Sequence, residues 1–150
     1  MDLKYFLKNL PAFEDFATPH LEALAKHLHV TPHADGQVFI RQGEQGAALY
    51  LLLKGAVHIT QHDNGGEEYM LRELADGEMF GILSLVDDMP ASATCTAKGP
   101  GETAALSREA FQALFEDAAP VAHHLQYMIA VQMARDIQEA NKRSRAALAR

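Results

Sequence analysis

The spacing of apolar residues changes twice along the chain and divides it into three parts. In residues 1–35, apolar positions recur at the three- and four-residue intervals of a helix, most clearly between Leu21 and Leu28. Over residues 36–106, apolar and polar residues alternate in short runs, which is typical of half-buried strands. Helical spacing returns over residues 107–150. With 150 residues in all, the chain is predicted to form one domain.

Three prolines and one threonine set the predicted limits of the N-terminal helices. Residues 2–17 are predicted to be a helical lead-in that Pro11 interrupts. Thr18 suits the N-cap of a second helix, and Pro19 suits its first helical position. Pro32 is predicted to end that helix, because proline is disfavoured in helix interiors.

Short strands separated by glycine-containing turns make up the middle part. Asn64-Gly65-Gly66 predicts a hairpin between the alternating segments on either side of it. The predicted strands are Gln37–Arg41, Leu49–Leu53, Val57–Thr60, Tyr69–Arg72, Thr94–Ala97 and Glu102–Leu106. This pattern predicts a mainly β fold with flanking helices, an antiparallel β-roll of the jelly-roll or double-stranded β-helix kind.

Two helices are predicted in the C-terminal part. Ser107 is a suitable N-cap for the first, and the second is predicted to start at Pro120 and to meet no breaker before Arg150. The apolar stripe of the second helix contains Leu125, Met128, Ile129, Gln132, Met133 and Ile137. The stripe is wide enough to pack against the domain and against a second copy at once, so a homodimer is expected.

Composition limits the setting and the partners. Apolar residues make up 48% of the chain and charged residues 22%, which are ordinary values for a globular protein. The longest uncharged apolar run, Ala47–Leu53, is too short to span a bilayer, and no signal peptide opens the chain. A cytoplasmic location is expected, because the single Cys95 excludes an internal disulfide framework. The formal net charge of −7 argues against nucleic acid as a partner of the whole surface.

One stretch, Gly77–Ala97, carries most of the candidate chemistry. Gly81 is followed by a short apolar run that Asp87 ends, and the small residues Ala91–Thr94 come shortly afterwards. A glycine, one helical turn and a second turn of small residues leave several backbone N–H groups unpaired around one hollow. Such hollows favour anions.

The sequence of this stretch, GEMFGILSLVDDMPASATCTA, resembles the phosphate-binding cassette of the cyclic-nucleotide-binding domain family, and we refer to it as the cassette. The positions that fit the family pattern are Phe80, Gly81, Ser84, Leu85, Ser92, Ala93 and Thr94. The cassette is degenerate at two others. The family's glutamate, which holds the ribose hydroxyl, falls on Ile82, and its arginine, which pairs with the cyclic phosphate, falls on Ala91.

The resemblance implies a cyclic nucleotide, or another small anion, as ligand and no further cofactor. The implied ligand-binding residues are Phe80, Gly81, Ile82, Leu83, Ser84, Ala91, Ser92, Ala93 and Thr94, with Asn141 reaching the base from the long helix. Loss of the glutamate and arginine removes about 2–4.5 kcal/mol, or roughly 30- to 2,000-fold in affinity. Arg72 and Lys98 are candidates for a compensating basic residue.

Two interpretations of function follow from the resemblance. In the first, the chain is a non-enzymatic regulatory module that senses a ligand of the cAMP or cGMP type and signals to a partner protein through the C-terminal helix. In the second, it is a ligand-blind dimerisation or interaction module that has kept the fold. The family's transcription factors continue into a helix-turn-helix domain, and none follows here, so direct nucleic-acid binding and membrane binding are not expected.

Enzyme and metal-site interpretations have little support in the sequence. It contains no nucleophile elbow and no Walker loop. His58 and His62 share a strand face, but Thr60 stands where the cupin metal pattern needs a histidine, so neither a metal site nor catalytic residues are predicted. Cys95 is predicted to be a small buried hydrophobe.

Overall fold

The computed structural model describes residues 2–86 and 88–148, so Asp87 and Arg150, which the sequence analysis used as boundaries, lie outside the described residues. The helices are α1 (Leu3–Lys8), α2 (Thr18–His27), α3 (Arg108–Asp117) and α4 (Ala119–Leu148). The strands are β1 (His29–His33), β2 (Val38–Ile40), β3 (Ala48–His62), β4 (Glu68–Leu74), β5 (Met79–Phe80) and β6 (Thr94–Ser107). A short 3₁₀ helix, Ile82–Leu85, follows β5.

The strands pair into one antiparallel sheet within the described part of the chain. The two longest strands, β3 and β6, pair with each other at its centre. β6 also pairs with β1 and β2, and β3 also pairs with β4 and β5. The predicted fold class is confirmed, because a mainly antiparallel β fold lies between N-terminal helices and a long C-terminal helix.

The region predicted to be helical up to residue 35 contains a strand. Helix α2 ends at His27, and Pro32 lies inside β1, so the prediction that Pro32 ends a helix is wrong. β1 stands at one end of the strand order, and an edge strand tolerates proline because some of its N–H groups need no partner. Helix α2 also begins one residue earlier than predicted, since Ala17 is its N-cap and Thr18 is already helical.

Two pairs of predicted strands are each one continuous strand. Thr94–Ala97 and Glu102–Leu106 both belong to β6, and Leu49–Leu53 continues into the rest of β3. The β3–β6 register shifts on both sides of Lys54. A Cβ atom at Gly101 would lie 2.0 Å from the Lys54 carbonyl oxygen. Glycine therefore allows the two backbones to approach closely at the shift, and the ladder continues through a segment that the sequence marked as a turn.

The C-terminal helices begin close to where they are predicted. The Ser107 hydroxyl accepts the Ala110 N–H at 3.1 Å and caps α3, and α4 begins one residue before Pro120. None of the helices within the described residues is long and apolar enough to cross a membrane.

Helix α4 is anchored by its first turns. Leu125 and Ile129 are 0% and 7% exposed and pack in the larger hydrophobic cluster, with residues of α2, α3 and β3. These two members of the predicted dimer stripe are therefore occupied by packing within the chain. Met133 and Ile137, 37% and 62% exposed, lie further along the helix and remain available to a second copy.

A smaller hydrophobic cluster of strand residues fills the roll. It contains Ile40, Leu52, Val57, Leu74, Phe80 and Cys95. The hairpin predicted at Asn64-Gly65-Gly66 joins β3 to β4. Alternation along β4 does not produce a buried face, because Tyr69 and Leu71 are 43% and 51% exposed and only Leu74 is buried. β4 is at the other end of the strand order from β1, where its side chains border the cavity described next.

Candidate ligand-binding site

A cavity of about 620 Å³ lies between the roll, the cassette and α4. Its volume falls within the roughly 300–1,000 Å³ typical of small-molecule sites. The roll contributes Ile40, Ile59, Leu71, Arg72, Leu74 and Cys95; the cassette contributes residues 79–84, Met89 and residues 91–93; and α4 contributes Tyr127, Met128, Val131, Gln132, Arg135 and Asp136. Most of these side chains are apolar, so the cavity suits a ligand with an apolar or heterocyclic body.

The first half of the cassette turns sharply at Gly81. This residue has a φ angle of +78° and caps the 3₁₀ helix Ile82–Leu85. A Cβ atom there would lie 2.5 Å from the Ile40 Cδ1 atom and 3.1 Å from the Ala48 carbonyl oxygen. Both the left-handed backbone and the close approach require glycine. The turn brings the 3₁₀ helix to the cavity wall directly after β5 pairs with β3.

Hydrogen bonds hold the two halves of the cassette in place. The Ala91 N–H donates to the Glu44 carbonyl at 2.9 Å, and the Gly43 N–H donates to the Ala91 carbonyl at 2.8 Å. Arg108, at the start of α3, donates from Nε to the Ser84 carbonyl at 2.7 Å and from Nη2 to the Gly46 carbonyl. The arginine therefore ties the 3₁₀ helix to the loop that supports Ala91.

Several backbone donors of the cassette have no acceptor among the described residues, and four of them form two pairs of neighbouring N–H groups. They are the N–H groups of Ile82, Leu83, Ser92 and Ala93, and all four residues line the cavity. Ser92 is exposed and the other three residues are half-buried, so water or a ligand in the cavity can accept these hydrogen bonds. The two pairs come from separate turns that border the same cavity, and the anion-binding role expected from the sequence stays a prediction.

Two of the charged side chains in the cavity wall already have a partner within the protein. Arg72 forms an ion pair with Glu78, whose other carboxylate oxygen accepts the Ala75 N–H at 2.7 Å. Asp136 accepts a hydrogen bond from the Gln132 amide at 2.9 Å. Arg72 lines the cavity but is already paired, whereas Lys98 is exposed on β6 and outside the lining.

The inner wall of the cavity is uncharged. Burial raises the pKa of the Cys95 thiol to about 12, so it stays protonated at neutral pH. Phe80 stacks on Tyr50 with ring centroids 5.2 Å apart and meets Phe39 edge-on at 5.4 Å. Burial also raises the pKa of Tyr50, which keeps its phenol neutral. The aromatic group therefore supports the cassette without adding charge.

The predicted ligand residues fall into two groups. Phe80, Gly81, Ile82, Leu83, Ser84, Ala91, Ser92 and Ala93 line the cavity. Thr94 is not in the lining, and its hydroxyl accepts the Gln42 N–H at 3.0 Å. Asn141 is also outside the lining, because six helical residues place it about 9 Å along the axis from Arg135, the last arginine in the wall. A ligand role for each of these residues stays a prediction.

Sequence reasoning missed several lining residues of α4. Met128 and Gln132 belong to the predicted stripe, but Tyr127, Val131 and Arg135 do not. Those three recur every four residues and share one helix face, a signal that was available once the helix was assigned. Their side chains include a phenol and a guanidinium, so an apolar stripe alone did not find them.

The histidines that suggested a metal hypothesis lie beside acids. His58 Nε2 is 3.4 Å from a Glu73 carboxylate oxygen, and His62 Nε2 is 3.8 Å from one of Glu68. Within residues 2–86 and 88–148, no group of three or more histidine, cysteine, aspartate or glutamate side chains is arranged to hold a metal ion.

Known proteins are similar to this chain in sequence and in fold. Residues 31–118 match the family model of the cyclic nucleotide-binding domain, which is more than half of the chain. The chain belongs to this family. A cyclic AMP receptor protein from Thermus thermophilus is 33% identical over 135 residues, or 90% of this chain and 61% of that protein. The crystal structure of Thermus thermophilus catabolite activator protein has a TM-score of 0.78 and 31% identity over 89% of this chain and 63% of that chain.

The chain spans only part of the length of its relatives. It covers 27% of a Blastocladiella emersonii cAMP-dependent protein kinase regulatory subunit and about three fifths of the Thermus protein.

Solved structures of similar fold include a kinase subunit that is named as independent of cAMP. The regulatory subunit of a cAMP-independent protein kinase A from Trypanosoma brucei has a TM-score of 0.69 and 26% identity, over 87% of this chain and 50% of that one. A variant of that subunit with three substitutions, one of them threonine to arginine, has been solved with cAMP in its A site.

Proposed function

We propose that this domain is a non-enzymatic cytoplasmic sensor whose cavity binds a cyclic nucleotide, cAMP or cGMP in type, and whose α4 passes the binding signal to a partner protein. The observation that carries the proposal is the set of four unpaired N–H groups, on Ile82, Leu83, Ser92 and Ala93, in the wall of the cavity. Family membership supports the same ligand class, since relatives include cAMP receptor proteins and cAMP-dependent kinase subunits.

In the proposed complex, the cassette binds the phosphate of the ligand and the apolar wall binds its purine. The cyclic phosphate accepts hydrogen bonds from the four N–H groups, each of which otherwise lacks an acceptor. The purine packs against side chains such as Leu71 and Met128, which removes apolar surface from water. With Ile82 and Ala91 at the family's charged positions, we expect weaker binding than in a member that keeps them.

Helix α4 is the element through which binding reaches a partner. Its middle turns form one wall of the cavity, and its exposed Met133 and Ile137 lie about two and three turns beyond the Leu125 anchor. A ligand that contacts this wall shifts the helix only if it binds one helix position better than another. We expect the exposed segment to form the homodimer contact, so that a shift of the helix changes the dimer.

One observation favours the second interpretation, a ligand-blind dimerisation or interaction module. Ile82 and Ala91 place apolar groups where the family pattern has a carboxylate and a guanidinium, and a kinase subunit of the same fold is named cAMP-independent. Such a module would use the exposed apolar residues of α4 without any change on ligand addition.

A thermal-shift titration with cAMP, cGMP and the non-cyclic nucleotide AMP separates the two interpretations. A ligand at 100 times its dissociation constant adds about 2.7 kcal/mol to the free energy of unfolding. For a domain of this size, that raises the melting temperature by roughly 5–10 °C. We expect a rise with a cyclic nucleotide at millimolar concentration and a smaller one with AMP, which serves as the matched control. No rise with either cyclic nucleotide would contradict the sensor and support the ligand-blind module.

A further inference from the structure

The charged groups around the cavity lie on two elements, β4 and α4. The other strands of the roll contribute apolar groups such as Ile40, Ile59 and Cys95, and the Cys95 thiol is neutral. The ionisable lining groups are Arg72 on β4 and Arg135 and Asp136 on α4. Any fixed charge that a ligand meets therefore comes from β4 and α4, and none comes from the position of Ala91.

Arg135 differs from the other charged groups of the lining. Arg72 is held by Glu78, and Asp136 is held by the Gln132 amide. The Arg135 side chain is exposed and makes no hydrogen bond or ion pair with the described residues. The helix itself orients it, because Tyr127, Val131 and Arg135 share one face that borders the cavity. Its guanidinium offers a rigid fork of donors suited to carboxylate, phosphate or sulfonate groups.

We infer that Arg135 is the specificity-determining cation of this cavity, which binds an organic anion by packing its apolar body in the roll and pairing its charge with α4. The inference rests on the proposed function in one respect, that the cavity is a ligand site, and it names a charge partner that the degenerate cassette lacks. Asp136 adds selectivity, because a second negative group on the ligand would meet its carboxylate. The preferred ligand is therefore a monoanion.

Pairing through α4 gives binding a direct route to the rest of the molecule. An anion held by Arg135 contacts the helix that carries the exposed Ile137, two residues further on. The cassette donors, in contrast, lie on turns that Arg108 and the Glu44 carbonyl hold in place. Charge pairing on α4 thus makes affinity depend on the position of that helix, as coupling requires.

Fluorescence titration with two dyes tests the inference independently of any nucleotide. Anilinonaphthalene sulfonate carries one sulfonate on an apolar body, and phenylnaphthylamine is its neutral analogue. We expect Arg135→Gln to weaken sulfonate-dye binding about two- to fivefold, a modest factor because solvent screens an exposed charge. The neutral dye should bind equally to both proteins. The matched control, Arg145→Gln, should leave both dyes unchanged, because Arg145 is an exposed arginine on the same helix and lies outside the cavity lining.

Salt and a filled cavity provide the remaining controls. Added salt should weaken sulfonate-dye binding to the wild type and have less effect on Arg135→Gln. Ala91→Phe, which places a phenyl ring in the cavity, should weaken both dyes, and dye binding that it leaves unchanged lies outside the cavity. Equal sulfonate-dye affinity in wild type and Arg135→Gln, or an equal loss in Arg145→Gln, would overturn the inference. Because the cyclic-nucleotide titration is separate, an absent thermal shift with Arg135-dependent dye binding rejects the nucleotide and leaves this inference standing.

Discussion

Replacing Ala91 with arginine should tighten cAMP binding roughly 10- to 150-fold, because one charge-assisted bond to phosphate contributes about 1.5–3 kcal/mol. Ala91 lines the cavity beside Ser92 and Ala93, whose N–H groups have no acceptor among the described residues. Hydrogen bonds to Gly43 and Glu44 fix the Ala91 backbone, so an arginine side chain would extend into the cavity wall from a fixed Cα atom. A guanidinium there adds charge next to donors that are already in place.

Isothermal titration of wild type and Ala91→Arg with cAMP measures this change. Ala91→Gln is the matched control, since it adds length and hydrogen bonding without charge, and we expect it to gain less than fivefold. The melting temperature of each ligand-free protein shows that the fold is retained. Equal affinity in wild type and Ala91→Arg, with both folded, would mean that the cavity does not present Ala91 to a phosphate.

Replacing Gly81 with alanine should destabilise the domain by about 2–5 kcal/mol, through backbone strain and steric overlap together. A left-handed backbone costs an alanine roughly 1–2 kcal/mol, and overpacking adds about 1–3 kcal/mol. The overlap is specific, because the added Cβ atom would lie 2.5 Å from Ile40 Cδ1 and 3.1 Å from the Ala48 carbonyl oxygen.

Gly43→Ala is the matched control for backbone strain. Gly43 has a φ angle of +83°, close to that of Gly81, but an added Cβ atom meets nothing within 4 Å. We expect it to lose only about 1–2 kcal/mol. Urea unfolding of the three proteins gives the difference in free energy. Equal losses in Gly81→Ala and Gly43→Ala would show that strain alone accounts for both and that the cassette does not pack tightly against β2 and β3.

The sequence predicted the elements whose signals are local. Ser107 capped a helix as expected, Asn64-Gly65-Gly66 formed a hairpin, and the cassette glycine Gly81 formed the turn that its neighbours required. In each case the residue type itself determines the backbone conformation or supplies the group that accepts the capping hydrogen bond. The order of these signals was also enough to identify the family to which the chain belongs.

Features that depend on distant partners were not predicted. β1 consists of His29–His33, with no clear alternation and with Pro32 inside it, and it is a strand because β6 pairs with all five of its residues. The exposure of Leu71 follows from the edge position of β4, which no local pattern specifies. The role of Arg135 in the lining depends on where α4 crosses the cavity, and periodicity does not determine that crossing.

In the proposed complex, the N–H groups of Ile82, Leu83, Ser92 and Ala93 hold the anionic group of a cyclic nucleotide. The most direct test follows backbone amide resonances by NMR while cAMP is added to the isotope-labelled wild type. We predict that the amides of Ile82, Leu83, Ser92 and Ala93 shift most and saturate together, since each gains an acceptor that it lacks in the free protein. Unchanged resonances of these four at saturating cAMP, or larger shifts confined to the exposed end of α4, would contradict the claim.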